Sequence, residues 1–123
     1  MPTPDELVRA MCESWSDPDP DRISAYFAED AVYHNIPMEP IVGRAAIRDF
    51  IAGFLTTFDA IDFDIHHQIA SGNVVMNERT DTLLSAGRAT PLPVMGFFEV
   101  TEGVISIWRD YFDMAVINRA FGL

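Results

Sequence analysis

A single cysteine, a shortage of basic residues and no long apolar run are what this chain of 123 residues most conspicuously withholds. Cys12, being alone, can form neither an internal disulfide nor a thiolate metal cluster. It falls on an apolar helix face, where it reads as a small core filler. No apolar stretch approaches the roughly 20 residues needed to span a bilayer. The opening Met1-Pro2-Thr3-Pro4-Asp5-Glu6 is acidic and lacks the basic-then-apolar order of a signal peptide. A soluble, cytoplasmic protein with no membrane partner is the expectation. No Gly-x-Ser-x-Gly elbow and no glycine-rich phosphate loop occurs, so a serine nucleophile of that type and nucleotide cofactors lack support. The three histidines show no His-x-x-x-His spacing. His66 and His67 are adjacent in a strand-like segment, which predicts opposite faces, and His34 is expected on the far side of its strand from Tyr33 and Asn35. No metal site is expected.

The formal charge of −11 argues against nucleic acid and anionic membranes as partners, and against a strongly anionic substrate. A neutral small molecule fits it best, although acidity also serves solubility on its own. The apolar share of 49% excludes a disordered chain. The length and the lack of a compositional break predict one domain spanning residues 1–123.

Thr3-Pro4-Asp5-Glu6 is a capping box with proline at the first helical position. Leu7, Val8, Met11, Cys12 and Trp15 follow at helical spacing. Asp17-Pro18-Asp19-Pro20 breaks that helix and restarts a second, capped by Asp19, with Ile23, Tyr26 and Phe27 as its buried side. Ala31 to Asn35 reads as a short strand ended by Pro37 and Pro40. From Arg44, the residues Ile47, Phe50, Ile51, Phe54, Leu55 and Phe58 predict a third helix with a wide apolar stripe. The period then changes. Residues 60–70, 73–86, 91–102 and 104–112 are rich in β-branched and aromatic side chains, with tight turns at Ser71-Gly72-Asn73 and Thr101-Glu102-Gly103. Ser85 to Pro93 predicts a looser connection, because Pro91 and Pro93 fit only an edge or a bulge. A last helix is expected from Met114 to Phe121. Helices first and strands after is an α+β pattern. It predicts a strongly curved, mixed or antiparallel sheet, a cone whose concave face is closed by the N-terminal helices.

Strand parity says what lines the cone. Arg79 and Asp81 share a face with Val75, Asn77 and Leu83. On the last strand Asp110 shares a side with Trp108 and Phe112, and Leu92 and Val94 are the matching positions between. An Arg and two Asp among Leu, Val, Phe and Trp is costly to bury and useful for acid–base work. The competing account is an Asp–Arg–Asp ion network that only holds the sheet together. Arg109 and Asp113 have the opposite parity, and Asp113 is placed to cap the last helix.

Three motifs carry a resemblance: Tyr33-His34-Asn35, Arg79-Thr80-Asp81 and Trp108-Arg109-Asp110-Tyr111-Phe112-Asp113. In that order they resemble the limonene-1,2-epoxide hydrolase family, within the cone-shaped folds typified by nuclear transport factor 2 and ketosteroid isomerase. The resemblance implies a one-step hydrolysis of an epoxide with no covalent intermediate and no cofactor. It implies Asp110 as general base, Tyr33 and Asn35 as holders of the attacking water, Asp81 as the acid and Arg79 as the bridge between the carboxylates. It also implies a homodimer, which the sequence supports weakly through Phe97, Phe98 and Ile107. Leu83, Leu92, Val94, Phe112, Phe54 and Trp15 would form the substrate wall, for a small, mostly apolar epoxide of terpene size or less. The chemistry is consistent with these roles, since epoxide opening needs a base for the water and a proton for the leaving oxygen. Two carboxylates held close in a dry pocket cannot readily both be charged, so one proton is shared between them. Two other readings stay open: a ketosteroid-isomerase-like or polyketide-cyclase-like enzyme, and a non-catalytic module binding an apolar ligand.

Overall fold

A computed structural model describes residues 1–122. Helix α1 (Pro4–Glu13) begins as its capping box dictates. The Thr3 hydroxyl accepts from the Glu6 amide, and the Glu6 carboxylate accepts from the Thr3 amide at 2.9 Å. Leu7, Val8, Met11 and Cys12 form its buried stripe, and a 3₁₀ turn (Ser14–Ser16) buries Trp15 after it. Helix α2 (Pro20–Ser24) is capped by Asp19 and is shorter than the sequence implies. Phe27 is fully buried but opens strand β1 (Phe27–Asn35), and Tyr26 is half-buried just before it. That strand starts four residues earlier than its sequence suggests, because Phe27 finds a backbone partner at Ile105. Strand β2 (Ile41–Val42) precedes helix α3 (Arg44–Phe54), which buries Ile47 and Ile51. Leu55 and Phe58 lie beyond the helix, in the turns that follow it, yet both pack onto apolar clusters.

Strands β3 (Ala60–Ser71), β4 (Val74–Ser85), β5 (Arg88–Thr101) and β6 (Val104–Tyr111) complete a six-stranded sheet in the order β2-β1-β6-β5-β4-β3. The β1–β6 pair is parallel and the others are antiparallel, so the sheet is mixed. Helix α4 (Met114–Phe121) closes the chain, capped by the Asp113 carboxylate on the Ala115 amide. None of the helices described is long and apolar enough to cross a membrane.

Two expectations need correction. The connection after Ser85 is tight: Ser85 pairs with Arg88, and Ala86 and Gly87 turn the chain with positive φ at both positions. Such a turn matches the twist of a hairpin. Pro91 and Pro93 lie inside β5, opposite Thr82 and Thr80. They are tolerated because β6 pairs only from Met95 onward, so this half of β5 has no strand on its other side. The second correction concerns His66 and His67. A bulge gives β3 an extra residue between Ile65 and His67, which resets the alternation. His66 bonds to Thr80 Oγ1 at 2.8 Å and His67 approaches Glu78, so both histidines lie on the outer face.

Candidate active site

The concave face of β4 alternates as its sequence predicts. Val75, Asn77, Arg79, Asp81 and Leu83 are all buried, and Leu92, Val94 and Asp110 join them from the neighbouring strands. Register makes this constellation. Asn77 lies opposite Gly96 and Gly96 opposite Asp110, so three adjacent strands meet at one level. Arg79 reaches from β4 across β5 to β6 at this level. Its Nε donates to Asp81 Oδ1 at 2.9 Å, and its Nη2 donates to Asp81 Oδ2 and to Asp110 Oδ2, both at 2.8 Å. Nη1 donates to Asn77 Oδ1 at 2.8 Å. The Phe63 ring lies 4.9 Å from the guanidinium carbon. The crossing is possible because Gly96 has no side chain: a Cβ there would overlap Arg79 Nη1 and stand 2.7 Å from Asn77 Oδ1.

Asp110 has a second donor, the Trp108 Nε1–H at 2.7 Å. Parallel pairing sets Tyr33 beside Trp108 and Asn35 beside Asp110. The Tyr33 ring stacks on Trp108 with centroids 4.2 Å apart, and its hydroxyl donates to Asn35 Oδ1 at 3.3 Å. The phenolic lone pairs and the Asn35 Nδ2–H are then the groups this pair can offer to a water.

Burial acts on each titrating group differently. It raises the Asp81 pKa above its ordinary 3.8, since Arg79 lowers it by less than burial and the neighbouring Asp110 raise it. Burial alone would weaken the Arg79 cation, but Asp110 and Asp81 overcome it and hold the guanidinium charged. Burial also drives the Tyr33 phenol well up, which keeps it neutral, and the Cys12 thiol up to about 12. Cys12 is therefore an inert core filler.

These groups open onto a cavity of about 240 Å³. Asp81, Asp110, Tyr33 and Asn35 form its polar end, and Trp15, Phe54, Leu83, Leu92, Val94 and Phe112 all line its wall. Arg79 does not; it sits behind the two carboxylates. The sequence reading left out several wall residues, notably Phe50 on α3, Phe63 on β3, and Met114 and Ile117 on α4. Phe50 was visible as part of the helix stripe and Phe63 by alternation along β3. Met114 and Ile117 depend on how α4 docks, which no local pattern reveals. Among the described residues the Trp15 indole N–H has no hydrogen-bond partner, and its ring packs edge-on to Phe54 and Trp108. Arg109 and Asp113 take no part: Arg109 covers Phe97 at 5.1 Å on the outer face, and Asp113 caps α4.

A family model described as the SnoaL-like domain matches residues 8–108. The chain belongs to the SnoaL-like domain family. Within that breadth its sequence is similar to that of epoxide hydrolase EphG of Mycobacterium tuberculosis, 32% identical over 107 residues that span 87% of this chain and 71% of EphG. A solved M. tuberculosis LEH-like epoxide hydrolase matches with a TM-score of 0.82 and 30% identity, over 92% of this chain and 84% of that one. A protein with a ketosteroid-isomerase-like fold from Catenulispora acidiphila matches with a TM-score of 0.85 over 98% of this chain and 95% of that one. At 20% identity that likeness shows the fold alone.

Proposed function

We propose that this protein is an epoxide hydrolase of the limonene-epoxide type, adding water to a small, mostly apolar epoxide in one step to give a vicinal diol. The observation that carries the reading is Arg79 Nη2 donating at 2.8 Å to both Asp81 and Asp110 at the one polar end of an apolar cavity. The likeness to EphG supports the same chemistry.

Asp110, which accepts from Arg79 Nη2 and Trp108 Nε1, takes a proton from a water held by Tyr33 and Asn35. The water oxygen bonds to an epoxide carbon as the ring C–O bond breaks. The released electron pair takes the proton that Asp81 carries, giving the second hydroxyl. One proton has then moved from Asp81 to the product and one from water to Asp110. Its return to Asp81 past Arg79 resets the pair with no net change. Burial raises the Asp81 pKa, which favours a proton on the acid that this scheme needs to donate one. Acid and base contributions of this kind are on the order of 10²–10⁴ each. No group outside the chain is required by this scheme.

The test incubates purified protein with limonene oxide and styrene oxide and measures diol formed by wild type, Asp110→Asn and Asp81→Asn. Both variants are expected to lose activity by at least about 10²-fold. In ¹⁸O-water the label is expected in the diol within a single turnover. An unlabelled first turnover would mean an aspartyl ester and would overturn the one-step scheme. Binding of both epoxides without turnover would favour a ligand-binding module.

We also propose that the outer face of the sheet pairs with a second copy of the chain. Ile69, Met76 and Phe97 lie side by side across β3, β4 and β5, with Met95, Ile107 and Tyr111 around them.

A further inference from the structure

Arg79 is tied to the protein surface by a chain of side chains that the proposed chemistry does not use. Its Nη1 donates to Asn77 Oδ1 at 2.8 Å, Asn77 Nδ2 donates to Gln68 Oε1 at 3.0 Å, and Gln68 Nε2 donates to Asp5 Oδ1 at 2.8 Å. Gln68 Nε2 also donates to the Asp5 carbonyl at 3.1 Å, and Asp5 Oδ2 accepts from Arg9 Nε at 3.1 Å. Asn77 is buried, Gln68 half-buried and Asp5 at the surface in the first turn of α1.

Chemistry fixes the sense of this chain. A guanidinium can only donate, so the Asn77 oxygen must face it and the Asn77 NH₂ must face Gln68. The Gln68 oxygen then receives that NH₂, and its own NH₂ faces an anion. A cation at the buried end and a carboxylate at the surface end align both amide dipoles between them. Flipping either amide would set NH₂ against guanidinium, or oxygen against carboxylate.

We propose that Asn77, Gln68 and Asp5 form a polarised strut that positions Arg79, and through it sets how Asp81 and Asp110 share their proton. The proposal rests on the epoxide-hydrolysis reading for its kinetic consequence, but not for its structural one. Arg79 must hold two acids on different strands with one nitrogen, and small rotations would favour one acid over the other. The strut grips the opposite nitrogen and removes that freedom. Asn77 and Gln68 are thus positioning residues, set apart from the reacting atoms.

The test is Gln68→Met, which keeps side-chain length and removes both amide bonds, with Asp5→Asn as a surface variant that keeps the acceptor and removes the charge. Two readouts are taken: exchange of the Arg79 Nε–H by ¹⁵N NMR, and the pH profile of diol formation. For Gln68→Met, Nε–H exchange is expected to quicken about tenfold and kcat to fall about tenfold, the size of one net hydrogen bond, with KM within about twofold. The high-pH limb of the profile is expected to move up, because a looser Arg79 pulls less on the Asp81 proton. Asp5→Asn is expected to change each in the same direction by less. Unchanged Arg79 exchange and an unchanged profile in either folded variant would overturn the strut. If wild type hydrolyses no epoxide, the reaction assignment fails, while the exchange rates still decide whether the strut holds Arg79.

Discussion

The two faces of this sheet invert the usual rule. The concave face is buried and carries an arginine, two aspartates and an asparagine; the convex face is open and carries Ile69, Met76, Met95 and Tyr111, each about half exposed or more. Buried charges are an expense that packing alone never demands, and an apolar row on an open face is equally unforced. Each is unforced by simple folding, and each is matched by a proposal: chemistry for the inner face and a second copy of the chain for the outer. The faces also differ in how their polar groups are satisfied. Inside, every guanidinium nitrogen has an acceptor at 2.9 Å or less. Outside, the contacts His66–Asp64 and His67–Glu78 are exposed, reach only 3.9 Å and contribute little.

The contrast is expected to break most severely at the carboxylates, where Asp110→Asn and Asp81→Asn should each lower diol formation by at least about 10²-fold. Next in size is Arg79→Met. It is close in volume and leaves two buried carboxylates facing each other without a cation. Removing one partner of a buried ion network costs about 3–5 kcal/mol. Denaturant unfolding is expected to show a loss of that size at neutral pH and a smaller one in acid, where the carboxylates protonate. A loss below about 1 kcal/mol would mean that the inner face is no more demanding than the outer.

Gly96→Ala follows. The added methyl group overlaps Arg79 Nη1 and crowds Asn77 Oδ1, so Arg79 must give way. Overpacking of this kind costs about 1–3 kcal/mol, and kcat is expected to fall with it. This residue also shows where the sequence stops being legible. A glycine inside a strand signals a close approach, but not by what; only the register that sets Gly96 between Asn77 and Asp110 reveals Arg79 passing over it. Alternation along β4 was enough to place Val75, Asn77, Arg79, Asp81 and Leu83 on one face, and the capping box was enough to start α1. The tight turn at Ala86-Gly87 and the bulge at His66 were not readable. The first uses an alanine with positive φ, and the second is an extra residue that no local composition marks. Gln68 escaped for the same reason, since the bulge resets which residues of β3 face inward.

The pH response separates the buried carboxylate of Asp81 from the surface carboxylate of Asp5 by sign. Burial raises the Asp81 pKa, so the folded protein binds that proton more tightly than the unfolded chain does. The stability this adds is fully present below the ordinary value of 3.8 and is lost as pH rises through the raised value in the folded state. Activity is expected to fall along the same limb, because a deprotonated Asp81 has nothing to give the leaving oxygen. Asp81→Asn should flatten the stability slope there, measured as Tm against pH. Asp5 slopes the other way. Its pKa is lowered by Gln68 and Arg9, so its contribution is present above the ordinary value and is lost in acid.

The smallest energetic effect is expected on the outer face, where it is the state of assembly that changes. Met76 is half exposed, flanked by Ile69 and Phe97, and it touches none of the buried charges. Met76→Asp should alter the stability of a single copy by about 0.5 kcal/mol or less. It adds a charge to a surface that pairing would desolvate, and on a chain already at −11 it adds repulsion between copies. Sedimentation should therefore find wild type as a dimer and the variant shifted to monomer, with its epoxide turnover per site retained because the cavity lies on the other face. Wild type sedimenting as a monomer at every concentration would leave the apolar row without a second copy to cover it. The inversion between the faces would then rest on the inner one alone.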